Sequence, residues 1–216
     1  MALYKLTDQH GKTYGDTLWG EGITHRASDG TPMMCTDTVI HVYRSPEEAA
    51  LFNPAHAAFE NPVLWECSDE EILLDDGLKL AVKQLTTLRQ IPLPAFTAVE
   101  LATFSIYCVP ESFANSAWRS WAQGWLDGKD RSEEAARAAG EAEAACWWAA
   151  GSAAGSAAAW AAGVALAAVA WEVEALEAKV AASAALAAST AVAAQDFTTL
   201  IRRAVANEKK LRGLGV

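Results

Sequence analysis

Proline is absent after Pro110: all seven prolines lie at or before that residue. Nothing of that kind interrupts helix over residues 111–216. The four cysteines, Cys35, Cys67, Cys108 and Cys146, stand more than thirty residues apart and form no C-x-x-C pair. That spacing excludes a zinc ribbon or a thioredoxin-like motif and reads as reduced, mostly buried thiols. Basic residues are few, 17 Lys and Arg against 27 Asp and Glu, and the formal net charge is −10. Such a balance argues against a protein that grips nucleic acid through its phosphates. No apolar run follows Met1, so no secretory signal is expected and the reading is cytoplasmic. There is no Gly-rich phosphate loop, no H-E-x-x-H and no G-x-S-x-G. Hence no cofactor or metal is expected. A mixed site from His25, Cys35, His41 and Cys67 has only weak support from its spacing.

What the chain has in excess is alanine. Of 47 alanines, 31 lie within residues 131–194, a bias of the long-helix kind. The first ~95 residues are instead varied and rich in turn-forming residues. We therefore divide the chain into a mixed module over 1–95, connecting helices over 96–129, and an alanine-rich arm with a C-terminal amphipathic helix over 130–216.

Within the module, Leu3–Thr7 alternates like a short strand, and Asp8-Gln9-His10-Gly11-Lys12 follows as a polar turn. Trp19–Thr24 is a glycine-broken extended stretch, and Ser28–Pro32 is another turn. Thr38–Tyr43 is rich in residues suited to pleated geometry. Ser45-Pro46-Glu47-Glu48 combines a serine cap, a first-turn proline and a capping-box glutamate. The helix it opens is expected to stop at Asn53-Pro54, because the residue before proline disfavours helix. Val63–Cys67 and Leu78–Ile91 read as strands, the second interrupted near Gln84, with Asp75-Asp76-Gly77 as the turn between them. Ile40, Val42, Leu51, Leu64, Leu80 and Val82 are the expected core.

Thr97-Ala98-Val99-Glu100 is a second capping box, opening a helix to about Cys108. Pro110 opens the next helix, to Asp127-Gly128. On it Trp118, Trp121 and Trp125 share one face; the stripe either packs on the sheet module or is displayed as an aromatic platform. Asp130–Glu133 caps the arm. An unbroken helix from there to Ala194 would be about 95 Å long. Leu166, Val169, Val173, Leu176 and Val180 form a short heptad seam, and Trp160 and Trp171 share a face. That seam favours a homo-oligomer, while Gly151 and Gly155 favour a hairpin within one chain; of the two we expect the oligomer. Residues 147–171 carry no charge and are long enough to span a bilayer. However, they hold 13 Ala and only three Val or Leu, too few of the residues that drive insertion. Asp196 caps a last helix with Phe197, Leu200, Ile201, Val205 and Leu211 inward and a basic face set against Glu208.

The residues with chemistry lie in the module. If Ile40 and Val42 face the core, His41 and Tyr43 stand together on the opposite face. Asn53 and His56 follow one short helix later, and Glu66 faces away from Trp65 on another strand. His41, Tyr43, Asn53, His56 and Glu66 are the candidate ligand-binding residues; Trp118, Trp121, Trp125, Trp160 and Trp171 are the candidate interaction residues. A His, a Tyr and a strand-borne Glu are also the residue types by which ADP-ribosyltransferase-like sites hold and cleave a nicotinamide dinucleotide.

Several ordered motifs carry a resemblance: Tyr4-Lys5-Leu6-Thr7-Asp8, Gly11-Lys12-Thr13, Trp19-Gly20-Glu21-Gly22, Asn53-Pro54-Ala55-His56, Leu64-Trp65-Glu66, and the run from Leu85 through Pro94. Together, over roughly residues 3–135, the chain resembles a family of bacteriophage and prophage proteins. In that family a compact N-terminal module precedes an alanine-rich helical tail of variable length. The tail matches in composition alone, and the family brings no activity and no catalytic residue with it. What the resemblance implies is a role in host interaction or counter-defence.

The expected fold class is α+β: a small mixed or antiparallel sheet module with a short helix, then an all-α, alanine-rich arm or hairpin. The expected function is binding of a host protein or a small ligand. An NAD-using, ADP-ribosyltransferase-like enzyme and membrane association through residues 147–171 are the alternatives.

Overall fold

The computed structural model describes residues 1–109, 116–132, 134, 135, 138 and 196–214. The heptad seam, Cys146, Trp160, Trp171, the glycines of the arm and the uncharged stretch over 147–171 lie outside these residues. The chain divides into two units, Met1–Ala95 and Phe96–Val216. Its architecture is α+β: antiparallel sheets with a short helix in the first unit and, among the described residues, helices alone in the second. Among the described residues no helix is long and apolar enough to cross a membrane.

In the first unit the strands are β1 (Leu3–Thr7), β2 (Thr24–Arg26), β3 (Ile40–Val42), β4 (Val63–Cys67), β5 (Ile72–Asp75), β6 (Leu80–Val82) and β7 (Gln84–Ile91), with helix α1 (Pro46–His56) between β3 and β4. One sheet has the order β1-β4-β7-β2, the other β3-β6-β5. Two links join them. Lys83 alone separates β6 from β7, so one run of chain serves both sheets. On the other side Tyr4 and Tyr43 exchange backbone hydrogen bonds of 3.1 and 2.8 Å. The pairings, the one-residue link at Lys83 and the Tyr4–Tyr43 bridge together connect β1, β4, β7, β6 and β3 in a circuit back to β1.

Alternation decides which side chains face inward. Leu3, Ile40, Val42, Trp65, Cys67, Leu80, Val82 and Leu85 pack with Trp19 as one core. All six expected core residues are buried. Trp19 reaches the core from a loop closed by Gly11, whose φ is +76° and where a Cβ would stand 2.7 Å from the Trp19 carbonyl oxygen; only glycine fits both demands. The strand β5 was not foreseen. Ile72-Leu73-Leu74 lacks alternation and follows an acidic run, so it carries no period-two signal.

Ser45 caps α1, its Oγ accepting from the Glu48 N–H at 3.1 Å, and Pro46 sits in the first turn. Contrary to the expected stop at Asn53, the helix runs through Pro54 to His56. Burial overrides the local bias. Leu51 and Phe52 are buried, and beyond the proline His56 stacks on Tyr43 with ring centroids 6.1 Å apart. The Asn53 carbonyl accepts from the Ala57 N–H at 3.0 Å, so the turn closes around the missing proline N–H.

The second unit contains α2 (Ala98–Cys108), α3 (Ser116–Leu126) and α4 (Phe197–Leu211). The Thr97–Glu100 capping box is present in both directions. Most of α2 is buried, and its polar groups are satisfied: Ser105 Oγ donates to the Leu101 carbonyl, and Thr103 Oγ1 accepts from Trp125 Nε1 at 3.0 Å. Phe104 of α2 meets Phe197 of α4. On α4 the inward residues are Phe197, Ile201, Ala204 and Glu208. This corrects the expectation for Leu211, which is exposed, and for Glu208, which faces inward. The swap follows from charge pairing: Arg131 waits on the inner side and takes both Glu208 oxygens.

Candidate functional site

Strand β3 sends Ile40 and Val42 into the core and turns His41 to the other face. His41 is anchored from three sides. Its backbone pairs with Ala81 of β6, its carbonyl accepts from Lys5 Nζ at 3.1 Å, and its Nε2 accepts from the Cys35 N–H at 3.1 Å. An Nε2 that accepts leaves the ring proton on Nδ1, the neutral tautomer. Burial, then the positive charges of Lys79 and Lys5, push the His41 pKa down to about 4, which agrees with that tautomer.

Tyr43 is buried, and its Oη lies 3.3 Å from His56 Nδ1. Burial first, then Asp76 and Glu48, raise the Tyr43 pKa. Burial and Lys79 lower that of His56 to about 4. Both shifts keep the phenol protonated and the imidazole neutral, so one hydrogen bond joins the two side chains. Asn53 behaves differently. Its amide nitrogen donates to the Phe59 carbonyl at 2.9 Å and its oxygen accepts from the Phe59 N–H at 3.2 Å. It closes the end of α1 instead of reaching toward His41.

Glu66 belongs to β4, in the other sheet. It stands opposite Arg89 of β7, whose Nε and Nη2 both donate to its Oε2, at 2.9 and 2.5 Å. The structure thus brings His41, Tyr43 and His56 together with the Lys79 and Asp76 charges, and gives Asn53 and Glu66 other partners. Trp118, Trp121 and Trp125 are buried at 5, 7 and 4% exposure, so they form no displayed platform. Among the described residues no three His, Cys, Asp or Glu side chains gather as a metal site. Of the weakly supported set, Cys67 lies in the core and His25 Nε2 is paired with the Leu18 carbonyl at 2.7 Å.

Two residues near the site escaped the sequence reading. Lys79 Nζ lies 3.3 Å from Cys35 Sγ across 44 residues of chain, a separation with no local signature. Lys5 could have been found. It alternates with Leu3 and Thr7, so it must share their buried face. It is only 7% exposed, sits over the Trp19 ring at 4.8 Å, and has no salt-bridge partner among the described residues. Burial lowers its pKa to about 8.

No protein-family model matches the chain, and no curated protein or solved structure matches it significantly.

Proposed function

We propose that the protein acts by binding, with the face carrying His41, Lys79 and Cys35 as the contact surface for a host protein or a small ligand. The supporting observation is the state of the two imidazoles. Both are neutral at pH 7 and already engaged, His41 with the Cys35 N–H and His56 with the Tyr43 hydroxyl. A general base works best with a pKa near the operating pH, and groups near 4 fall well short of it. Neutral, fixed rings suit recognition by shape and hydrogen bonding. The ADP-ribosyltransferase-like reading lacks its carboxylate, because Glu66 is held by Arg89 in the other sheet. The family resemblance adds the setting, a phage-type protein acting on its bacterial host inside the cytoplasm, in line with a counter-defence role.

Native mass spectrometry of the full chain with host lysate and with a nucleotide panel tests this. Retention of a protein or a ligand, lost on His41→Ala, supports binding at this face. Retention of nothing, together with turnover of a dinucleotide, overturns it.

A further inference from the structure

We propose that Cys35 and Lys79 form an oxidant-triggered covalent cross-link, with peroxide as the co-reactant. The inference stands apart from the binding role, since it depends only on two side chains and an oxidant.

The pair is placed for it. Lys79 Nζ and Cys35 Sγ are 3.3 Å apart, and both backbones are anchored. Lys79 ends the turn after β5, where Asp76 Oδ1 accepts from the Leu78 and Lys79 N–H groups, both at 2.9 Å. Cys35 has φ +63°, a left-handed conformation uncommon outside glycine, and its N–H is bound by His41. The thiol is exposed, so a small oxidant reaches it, whereas Cys67 and Cys108 are buried. Access and a neighbouring partner are what distinguish redox-responsive cysteines from inert ones.

The chemistry has two balanced steps. The Cys35 sulfur attacks one oxygen of hydrogen peroxide. The S–O bond forms, the O–O bond breaks, and the thiol proton leaves with the released hydroxide as water. Sulfur is oxidised by one electron pair and peroxide is reduced by the same pair, giving a sulfenic acid. The Lys79 ammonium gives one proton to solvent, and the free amine then attacks that sulfur. The S–N bond forms and the S–O bond breaks, and the hydroxyl departs with an amine proton as a second water. Sulfenic acids are known to condense in this way with thiols and with backbone nitrogen; here the nucleophile is a lysine on a flexible stem, 3.3 Å from the sulfur. The sulfenamide would tie the loop before β3 to the β5–β6 turn, next to His41.

The full-length protein treated with hydrogen peroxide decides the matter. Intact mass and peptide mapping should show loss of a pair of hydrogens and a linked peptide pair containing Cys35 and Lys79, both reversed by dithiothreitol. Trapping with dimedone should give little Cys35 adduct in the native chain and severalfold more in Lys79→Arg, which keeps the charge but removes the amine. Equal adduct in the two proteins, absence of the linked peptide, or a Cys35 inert to peroxide would overturn the proposal. The native peptide map alone suffices if Lys79→Arg does not fold.

Discussion

Arg131 and Glu208, 77 residues apart in the chain, form a buried ion pair in the helical unit. Arg131 Nη1 and Nη2 donate to the two Glu208 oxygens at 3.0 and 2.5 Å, and the Glu208 side chain is only 4% exposed. The same guanidinium lies over the Trp125 ring and donates through Nε to the Trp125 carbonyl. Glu208→Ala leaves that charge half-covered and unpaired. We expect a loss of about 2–3 kcal/mol in urea unfolding, below the usual figure for a broken buried pair because Arg131 keeps some solvent. A loss under about 0.5 kcal/mol would mean water already screens the pair.

Lys5 is expected to cost stability at neutral pH. Its folded pKa of about 8 lies below the ordinary 10.5, so the unfolded chain holds this proton more tightly. Lys5→Met should therefore stabilise the protein at pH 7 by about 1–3 kcal/mol. The gain should shrink between pH 8 and 10.5, where the native amine is neutral and the unfolded one still charged. A gain that persists unchanged at pH 10.5 would show that packing, not charge, limits this position.

The two imidazoles act at the acidic end with the same sign. His41 and His56 titrate near 4 when folded, against 6.5 for the free group. Between those values the unfolded state binds protons that the native state does not. Stability should fall as pH drops from 6.5 to 4, and the slope should lessen in His56→Phe, measured by urea unfolding at stepped pH. Imidazole NMR shifts that titrate near 6.5 in the native protein would remove the basis for this expectation.

Leu64 faces the interior of the first unit at 1% exposure. Leu64→Ala should cost about 2–5 kcal/mol, the usual range for a buried leucine cut back to alanine. A denaturation midpoint that does not move would contradict its place in the core.

Oligomerisation through the alanine-rich arm rests on the heptad seam of Leu166, Val169, Val173, Leu176 and Val180. We expect light scattering on the full chain to give a homo-oligomer, and the double substitution Leu166→Gln, Leu176→Gln to reduce it toward monomer. A monomeric full chain would leave the hairpin alternative. A chain cut at Gly128 is a poor probe, because it removes α4 and strips Phe197 from Phe104.

Local chemistry was legible in the sequence wherever one element carries its own signal. Leu3–Thr7 and Val63–Cys67 have the bounds their alternation indicates, and Ser45, Thr97 and Asp196 cap the helices they precede. These signals act within four residues, through a side-chain oxygen meeting a nearby N–H or a period of two. The candidate site was legible in part: alternation set His41 on the outer face, while the partners of Asn53 and Glu66 were not readable. Asn53 binds Phe59 because the helix carries on past Pro54, and that depends on His56 stacking against Tyr43. Glu66 is taken by Arg89 because β7 pairs with β4 in one register. Glu208 turns inward for Arg131, and Cys35 meets Lys79 across β3 and β6, for the same reason. Strand register and burial join residues tens of positions apart, and neither leaves a mark in the sequence near the residues it brings together.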